Sequence, residues 1–160
     1  MYAKFFMSEP LTIRPAAPAD YAGWRPLWDG YNAFYGRSGA TALAEEITAA
    51  TWARFFDPAE PMEALVAEES SGKKLVGLVH CIYHRSTSRL QPVCYLQDLF
   101  TDESLRGKGI GRRLIEAVYA RAAQAGSTRV YWQTHETNAT ARVLYDKVAQ
   151  HAGFLIYTHG

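Results

Sequence analysis

The chain is poor in the features that mark a specialised class of protein. Its two cysteines, Cys81 and Cys94, sit in apolar, strand-like runs and show no metal-ligand spacing, so they read as reduced core residues. No stretch is long and apolar enough for a transmembrane helix. The opening "MYAKFFMSEP" has one lysine and no extended hydrophobic region, so it does not read as a secretory signal, and the cytoplasm is the default. Lys+Arg total 17 against Asp+Glu 16, which gives no electrostatic reason to expect DNA or RNA as the main partner, and no membrane partner is expected either. Internal repeats, low-complexity tracts and linkers are missing as well. What is there is ordinary: 160 residues, 48% hydrophobic and 21% charged, enough for one domain spanning 1–160 with a proper core.

Punctuation by proline, glycine and short polar clusters divides the chain. "LTIRPA" reads as a short strand stopped by Pro15 and Pro18. Asp20 can cap a helix over "YAGWRPLWDGYNAFYG", made irregular by Pro26 and Gly30. "ATALAEEITAATWARFF" reads as a second helix ending before Pro58. "MEALVAEE" and "KLVGLVHCIYH" form strands paired across the "SSGK" turn, and "VCYLQDLFT" is a third long strand. "RVYWQTH" is another, "NATARVLYDKVAQHAG" a helix capped by Asn138, and "FLIYTH" a closing strand. Hairpin-linked strands followed by alternating helices imply an α/β or α+β mixed sheet with helices on both faces.

The most informative stretch is "LRGKGIGRRLIEAVYARA". Glycines at 107, 109 and 111 precede a run in which Ile110, Leu114, Val118 and Ala122 recur every fourth residue, and Gly126 closes that helix. A helix N-terminus offers free N–H groups and the positive end of a dipole, here ringed by Arg106, Lys108, Arg112 and Arg113. The arrangement suits a phosphate or pyrophosphate. Neither the P-loop nor the dinucleotide fingerprint fits the spacing, and what remains is R-x-x-G-x-G from Arg106 to Gly111. A glycine turn capping a surface helix is the plainer alternative.

Together with that loop, the strand "YLQDLFTDESL" and the segment "THETNATARVLYDKVAQHAGF" resemble the GNAT superfamily of acetyl-CoA-dependent N-acetyltransferases. "HRST", "CYLQDLF" and "NATARVLYDKVA" are most similar to its branch of yeast histone and polyamine acetyltransferases and their bacterial relatives. The resemblance implies a central, mostly antiparallel, splayed sheet with helices on both faces. It implies that the backbone of Leu99, Phe100 and Thr101 pairs with the pantetheine arm of acetyl-CoA. The N–H groups of Gly107, Lys108, Gly109, Ile110, Gly111 and Arg112, with Arg106, would cradle the pyrophosphate, and Asn138 would contact the arm near the thiol.

Acetyl transfer to an amine needs an acceptor for the amine's proton, a donor to the carbonyl oxygen and a proton for the thiolate. A backbone N–H near Leu99 is the place for the oxyanion donor. Tyr145 matches the tyrosine that serves as general acid in many family members; by pattern alone it fits equally a core aromatic beside Ala141, Leu144 and Val148. The diamine acetyltransferases carry Leu-Glu-Asp where this chain has Leu96-Gln97-Asp98. Gln97 can only orient water or substrate, and Asp98 keeps a carboxylate next to it. Alternation puts the two on opposite faces unless the strand is bulged. Asp98 fits a base and fits a buried, hydrogen-bonded carboxylate. His80, His84 and His135 are relay candidates, or structural histidines. Trp24, Trp28, Tyr31, Phe34 and Tyr35 could frame an amine, or pack on the sheet at helical spacing. Tyr35 and His84 are the residues kept for the acceptor. Tyr35 stands where the diamine enzymes have a glutamate, which together with Gln97 argues for a smaller or less charged amine than a polyamine.

The expectation is an N-acetyltransferase acting on a primary amine of a small molecule by direct attack in a ternary complex, with no metal. A protein-lysine or histone-type acetyltransferase and a noncatalytic acyl-CoA-binding module are the alternatives. One terminal strand, where many relatives have two, leaves a sheet edge for a second copy, so a homodimer is expected.

Overall fold

The computed structural model describes residues 10–71 and 73–160. Five strands form one sheet in the order β1-β2-β3-β4-β5: β1 Leu11–Pro15, β2 Met62–Glu69, β3 Leu75–Ser86, β4 Arg89–Thr101 and β5 Val130–Tyr131. The first four run antiparallel, and β5 lies parallel to β4 after a helical crossover. The helices are α1 Tyr21–Phe34, α2 Glu45–Arg54, α3 Ile110–Gln124 and α4 Ala139–Val148.

Strand alternation builds two cores. Leu65 and Ala67 of β2 join Val76, Val79 and Cys81 against α3, whose Ile110, Leu114, Ile115, Val118 and Ala122 form the stripe expected from the i+4 spacing. Val66, Leu75 and Leu78 point the other way, to Trp24, Leu27, Trp28 and Tyr31 of α1. Full burial of a side chain such as Leu114 contributes about 1.5–3 kcal/mol. That packing explains why α1 runs unbroken through Pro26 and Gly30 where irregularity was expected. At Gly30 a Cβ would lie 2.8 Å from the Phe100 ring, so glycine lets α1 settle onto β4.

Several boundaries differ from the sequence reading, each for a tertiary reason. Asp20 occupies the N-cap position of α1 but does not cap it; its carboxylate takes the Ala17 N–H at 2.7 Å and pairs with Arg14. Asn138 likewise precedes α4 without capping it, and its Nδ2 donates to Thr134 Oγ1 at 3.1 Å. β4 begins four residues early because the Thr87-Ser88 turn returns at once, and Pro92 falls in an irregular stretch of the pairing that needs no N–H from it. β5 is only two residues long, since the chain leaves β4 after Tyr131. "FLIYTH" forms no strand: it finds no ladder partner among the described residues, and Phe154, Leu155, Ile156 and Tyr157 are exposed, Tyr157 by 90%.

Candidate active site

The departure of β5 opens the sheet. β4 pairs with β5 only at Cys94 and Tyr95, while on its other side it stays paired to β3 as far as Thr101. The outer edge of β4 from Leu96 to Thr101, including Leu99, Phe100 and Thr101, is therefore free of a strand partner among the described residues.

At the foot of this opening lies the N-terminus of α3. Gly107 and Gly109 both take φ +80°, and a Cβ on either would meet nothing within 4 Å, so it is the backbone conformation that demands glycine. The first helical bond runs from Arg113 N–H to Gly109 O at 3.1 Å, which leaves the N–H groups of Ile110, Gly111 and Arg112 without intrahelical partners. Arg106 lies over the Phe100 ring at 5.6 Å and 3.6 Å from Glu103. Two of the expected loop cations are engaged elsewhere. Arg112 pairs with Glu116 along the helix, and Arg113 donates to Leu11 O at 2.6 Å, tying α3 to β1.

On the α1 side of β4, a bulge decides the face on which the carboxylate lies. His80 pairs with Asp98 and Cys81 with Leu96, so Gln97 is the extra residue. Cys94 and Leu96 face the α3 core, whereas Asp98 reaches His80 and Phe100 packs with the α1 cluster. Gln97 is exposed in the bulge and Asp98 is 7% exposed.

Asp98 is held by a defined chain of bonds. Trp24 donates its indole N–H to His80 Nε2 at 3.0 Å, so that nitrogen is the acceptor and Nδ1 carries the hydrogen that goes to Asp98 Oδ2 at 2.9 Å. Tyr31 faces the same carboxylate; burial, then the charge of Asp98, pushes its phenol well above the usual range. Tyr35 is raised by burial and by Asp98, with Arg37 opposing. Tyr145, edge-on to Trp132 at 5.4 Å, is pushed up to about 12, first by burial and then by Tyr35. Asp98, Tyr31, Tyr35 and Tyr145 thus share one electrostatic neighbourhood.

The remaining candidates separate. His84 is exposed and contacts Tyr131 Oη at 2.8 Å, beside the Tyr95–Tyr131 stack at 4.9 Å. His135 sits on Thr137 at the start of α4. Trp24, Trp28 and Tyr31 are core residues, as helical spacing allowed; Phe34 and Tyr35 are exposed. The residues that sequence reasoning left aside are Tyr95, Tyr131 and Arg37. A bulge at Gln97 would have signalled Tyr95, because it places positions before and after it on opposite parities. Two surface hollows of about 420 and 510 Å³ lie elsewhere, lined by residues such as Phe55 and Arg121 or Leu27 and Glu103; neither is lined by Asp98 or Tyr145.

Comparison with known proteins identifies the family and the fold. Residues 24–149 match the acetyltransferase (GNAT) family. The chain belongs to the GNAT family of acetyltransferases. As a GNAT protein it is an N-acetyltransferase, and acetyl-CoA is the donor its family uses. It is similar to the D-amino-acid N-acetyltransferase HPA3 of Saccharomyces cerevisiae, 32% identical over 94% of this chain and 91% of that one. It is 29% identical to the uncharacterized N-acetyltransferase YhfO of Bacillus subtilis, over 92% of this chain and 95% of that one. Among solved structures, a probable acetyltransferase superposes with a TM-score of 0.80 at 20% identity, covering 93% of this chain and 97% of that one. AAC(6')-Iy, in complex with the bisubstrate analogue CoA-S-monomethyl-acetylneamine, gives 0.78 at 15%, covering 94% and 98%. At these identities the structures speak to the GNAT fold. No helix among the described residues is long and apolar enough to cross a membrane.

Proposed function

We propose that this N-acetyltransferase moves an acetyl group to the primary amine of a small molecule by direct attack in a ternary complex, with Asp98 receiving the amine's proton and Tyr145 protonating the departing thiolate. The observation that carries the reading is the Asp98 carboxylate, fixed by His80 at 2.9 Å on the cleft side of the β4 bulge, in the same neighbourhood as a phenol kept protonated to about pH 12.

Acetyl-CoA, when bound, supplies a thioester carbonyl open to attack by nitrogen. The glycine loop suits its pyrophosphate. The N–H groups of Gly107, Lys108, Gly109, Ile110, Gly111 and Arg112, with the Arg106 guanidinium and the Lys108 ammonium, hold the anion. Leu99, Phe100 and Thr101 pair with the arm along the free edge of β4, and the N–H near Leu99 donates to the oxyanion. Asn138 donates through Nδ2 to Thr134, which leaves its Oδ1 to accept from the arm.

Asp98 attracts the ammonium; the amine attacks in its neutral form, its first proton having gone to solvent, and Asp98 takes the second proton as the N–C bond forms, when that nitrogen becomes far more acidic. His80 is a positioning residue: with Nε2 occupied by Trp24 it donates to Asp98 and does not itself collect the proton. Gln97, exposed in the bulge, orients the amine, and Tyr35 and His84 border it. The D-amino-acid acceptor of the yeast relative supports a small-molecule acceptor over a lysine-bearing protein. Neutral Gln97 and Tyr35 weigh against polycations.

The reading extends to a homodimer, in which a second copy covers the apolar run Phe154–Tyr157 that a single chain leaves exposed.

The test is CoA thiol release with D- and L-amino acids, simple amines, polyamines, aminoglycosides and a lysine-rich peptide, run beside Tyr145→Phe. Turnover on a small amine, strongly reduced in the variant, is expected. Turnover confined to the peptide, or acetyl-CoA binding with no turnover at all, would overturn it.

A further inference from the structure

Arg14, Arg25, Arg54, Arg106, Arg112 and Arg121 each lie against a carboxylate of their own chain. Arg37, Arg85, Arg89, Arg113, Arg129 and Arg142 do not, among the described residues, and of these only Arg37 is half-buried, the other five being exposed. Arg37 is held in place. Its Nε donates to Asn32 Oδ1 at 2.7 Å, and its backbone N–H donates to Asn32 O at 2.9 Å. Asn32 is itself 4% exposed, with its Nδ2 fixed on Trp28 O at 2.9 Å, so the amide oxygen has one place to point. The guanidinium carbon lies 5.8 Å from the Tyr31 ring centre and 5.5 Å from that of Tyr35. The same two phenols also feel the charge of Asp98. A cation pinned through Nε, resting on two aromatic rings, with its terminal nitrogens free of any internal carboxylate, is arranged to receive a carboxylate from outside.

We infer that Arg37 is the carboxylate anchor of the acceptor site, so that the amine this enzyme acetylates carries a carboxylate of its own, as an amino acid does. The ammonium then lies toward Asp98 and the carboxylate toward Arg37, with the Tyr31 and Tyr35 phenols between. Charge completes the argument. A zwitterion meets a partner at each end, whereas a polyamine would bring a second cation against Arg37. The field of Arg37 reaches both phenols, drawing them down against burial and the charge of Asp98. This inference rests on the acetyl-transfer reading above.

The experiment compares matched pairs that differ only in the carboxylate: D- and L-phenylalanine against 2-phenylethylamine, and alanine against ethylamine. Each is assayed for kcat/KM with the wild-type chain, Arg37→Gln and Arg37→Lys. The wild type should favour the amino acid of a pair by about 10- to 100-fold, the range of a hydrogen-bonded charge pair. Arg37→Gln should collapse that ratio through KM, and Arg37→Lys should restore part of it. An equal preference in the wild type, or a ratio preserved in Arg37→Gln, would overturn the anchor. If no amine is turned over, the acetyl-transfer reading has failed by itself. Calorimetric binding of phenylalanine and 2-phenylethylamine to the CoA-loaded protein then decides on Arg37, with selective binding of phenylalanine lost in Arg37→Gln as the supporting result and equal binding as the refuting one.

Discussion

The indole N–H of Trp24 donates to His80 Nε2 at 3.0 Å, across 56 positions of sequence and between a helix and the strand beneath it. One consequence is that the imidazole has a single tautomer and meets Asp98 as a donor. Asp98→Asn should lower kcat by about 10²- to 10⁴-fold, the usual range for a positioned acid or base. Acetyl-CoA affinity, read by titration calorimetry, should hold. A kcat within a few-fold of wild type would leave Asp98 a structural carboxylate.

His80→Ala removes the donor from a buried carboxylate and the acceptor from a buried indole. The expected loss is about 1–3 kcal/mol for each group left unpaired, measured by urea unfolding. Trp24→Phe should lose less than His80→Ala, because it leaves the His80–Asp98 bond intact.

Tyr145→Phe should lower kcat by about 10²-fold or more. Because the phenol is pushed up to about 12, it stays protonated through neutral and mildly alkaline solution. The ratio of wild-type to variant kcat should therefore be flat from about pH 7 to 10. A ratio falling below pH 9 would place the thiolate's proton donor elsewhere. The same shift bears on stability. The folded phenol holds its proton more tightly than the unfolded chain's, so its contribution is complete below about pH 10 and is lost as pH rises through about 12. Unfolding midpoints should fall over that window, and less steeply in Tyr145→Phe.

Gly109→Ala puts a side chain where φ is +80°, a strain of about 1–2 kcal/mol. The N–H groups of the loop should lose their aim, and acetyl-CoA should bind several-fold more weakly by calorimetry. Unaltered affinity would show that the loop does not hold the pyrophosphate.

Light scattering should give twice the chain mass at micromolar concentration, and Leu155→Asp with Ile156→Asp should return it to one chain. A monomeric wild type would remove the homodimer.

Much of this architecture is legible before any coordinates. The i+4 stripe from Ile110 to Ala122 specifies one buried face, and the continuous apolar centre of Met62–Glu69 specifies a strand covered on both, because each has a continuous partner to bury against. Where the partner decides, local pattern is mute. "RVYWQTH" yields two strand residues because β4 and the chain part company, and "FLIYTH" yields none because nothing described lies beside it. Asp20 and Asn138 occupy their cap positions, yet Arg14, Ala17 and Thr134 engage their side chains first. The glycine loop and Tyr145 were visible as motifs. Trp24 and Arg37 were not, since what matters in them is a contact made through the fold.

The extra residue in β4 works on the strand as an inserted letter works on a reading frame. Upstream of Gln97, even positions are written in the frame of α3; downstream, the same parity is written in the frame of α1. Pairing Gln97 in regular register, with no bulge, would put Asp98 and Phe100 out of frame, setting a carboxylate into the apolar layer over α3 and turning Leu99 toward Trp24. One strand therefore carries two messages, and the inserted residue is the junction that lets both be read.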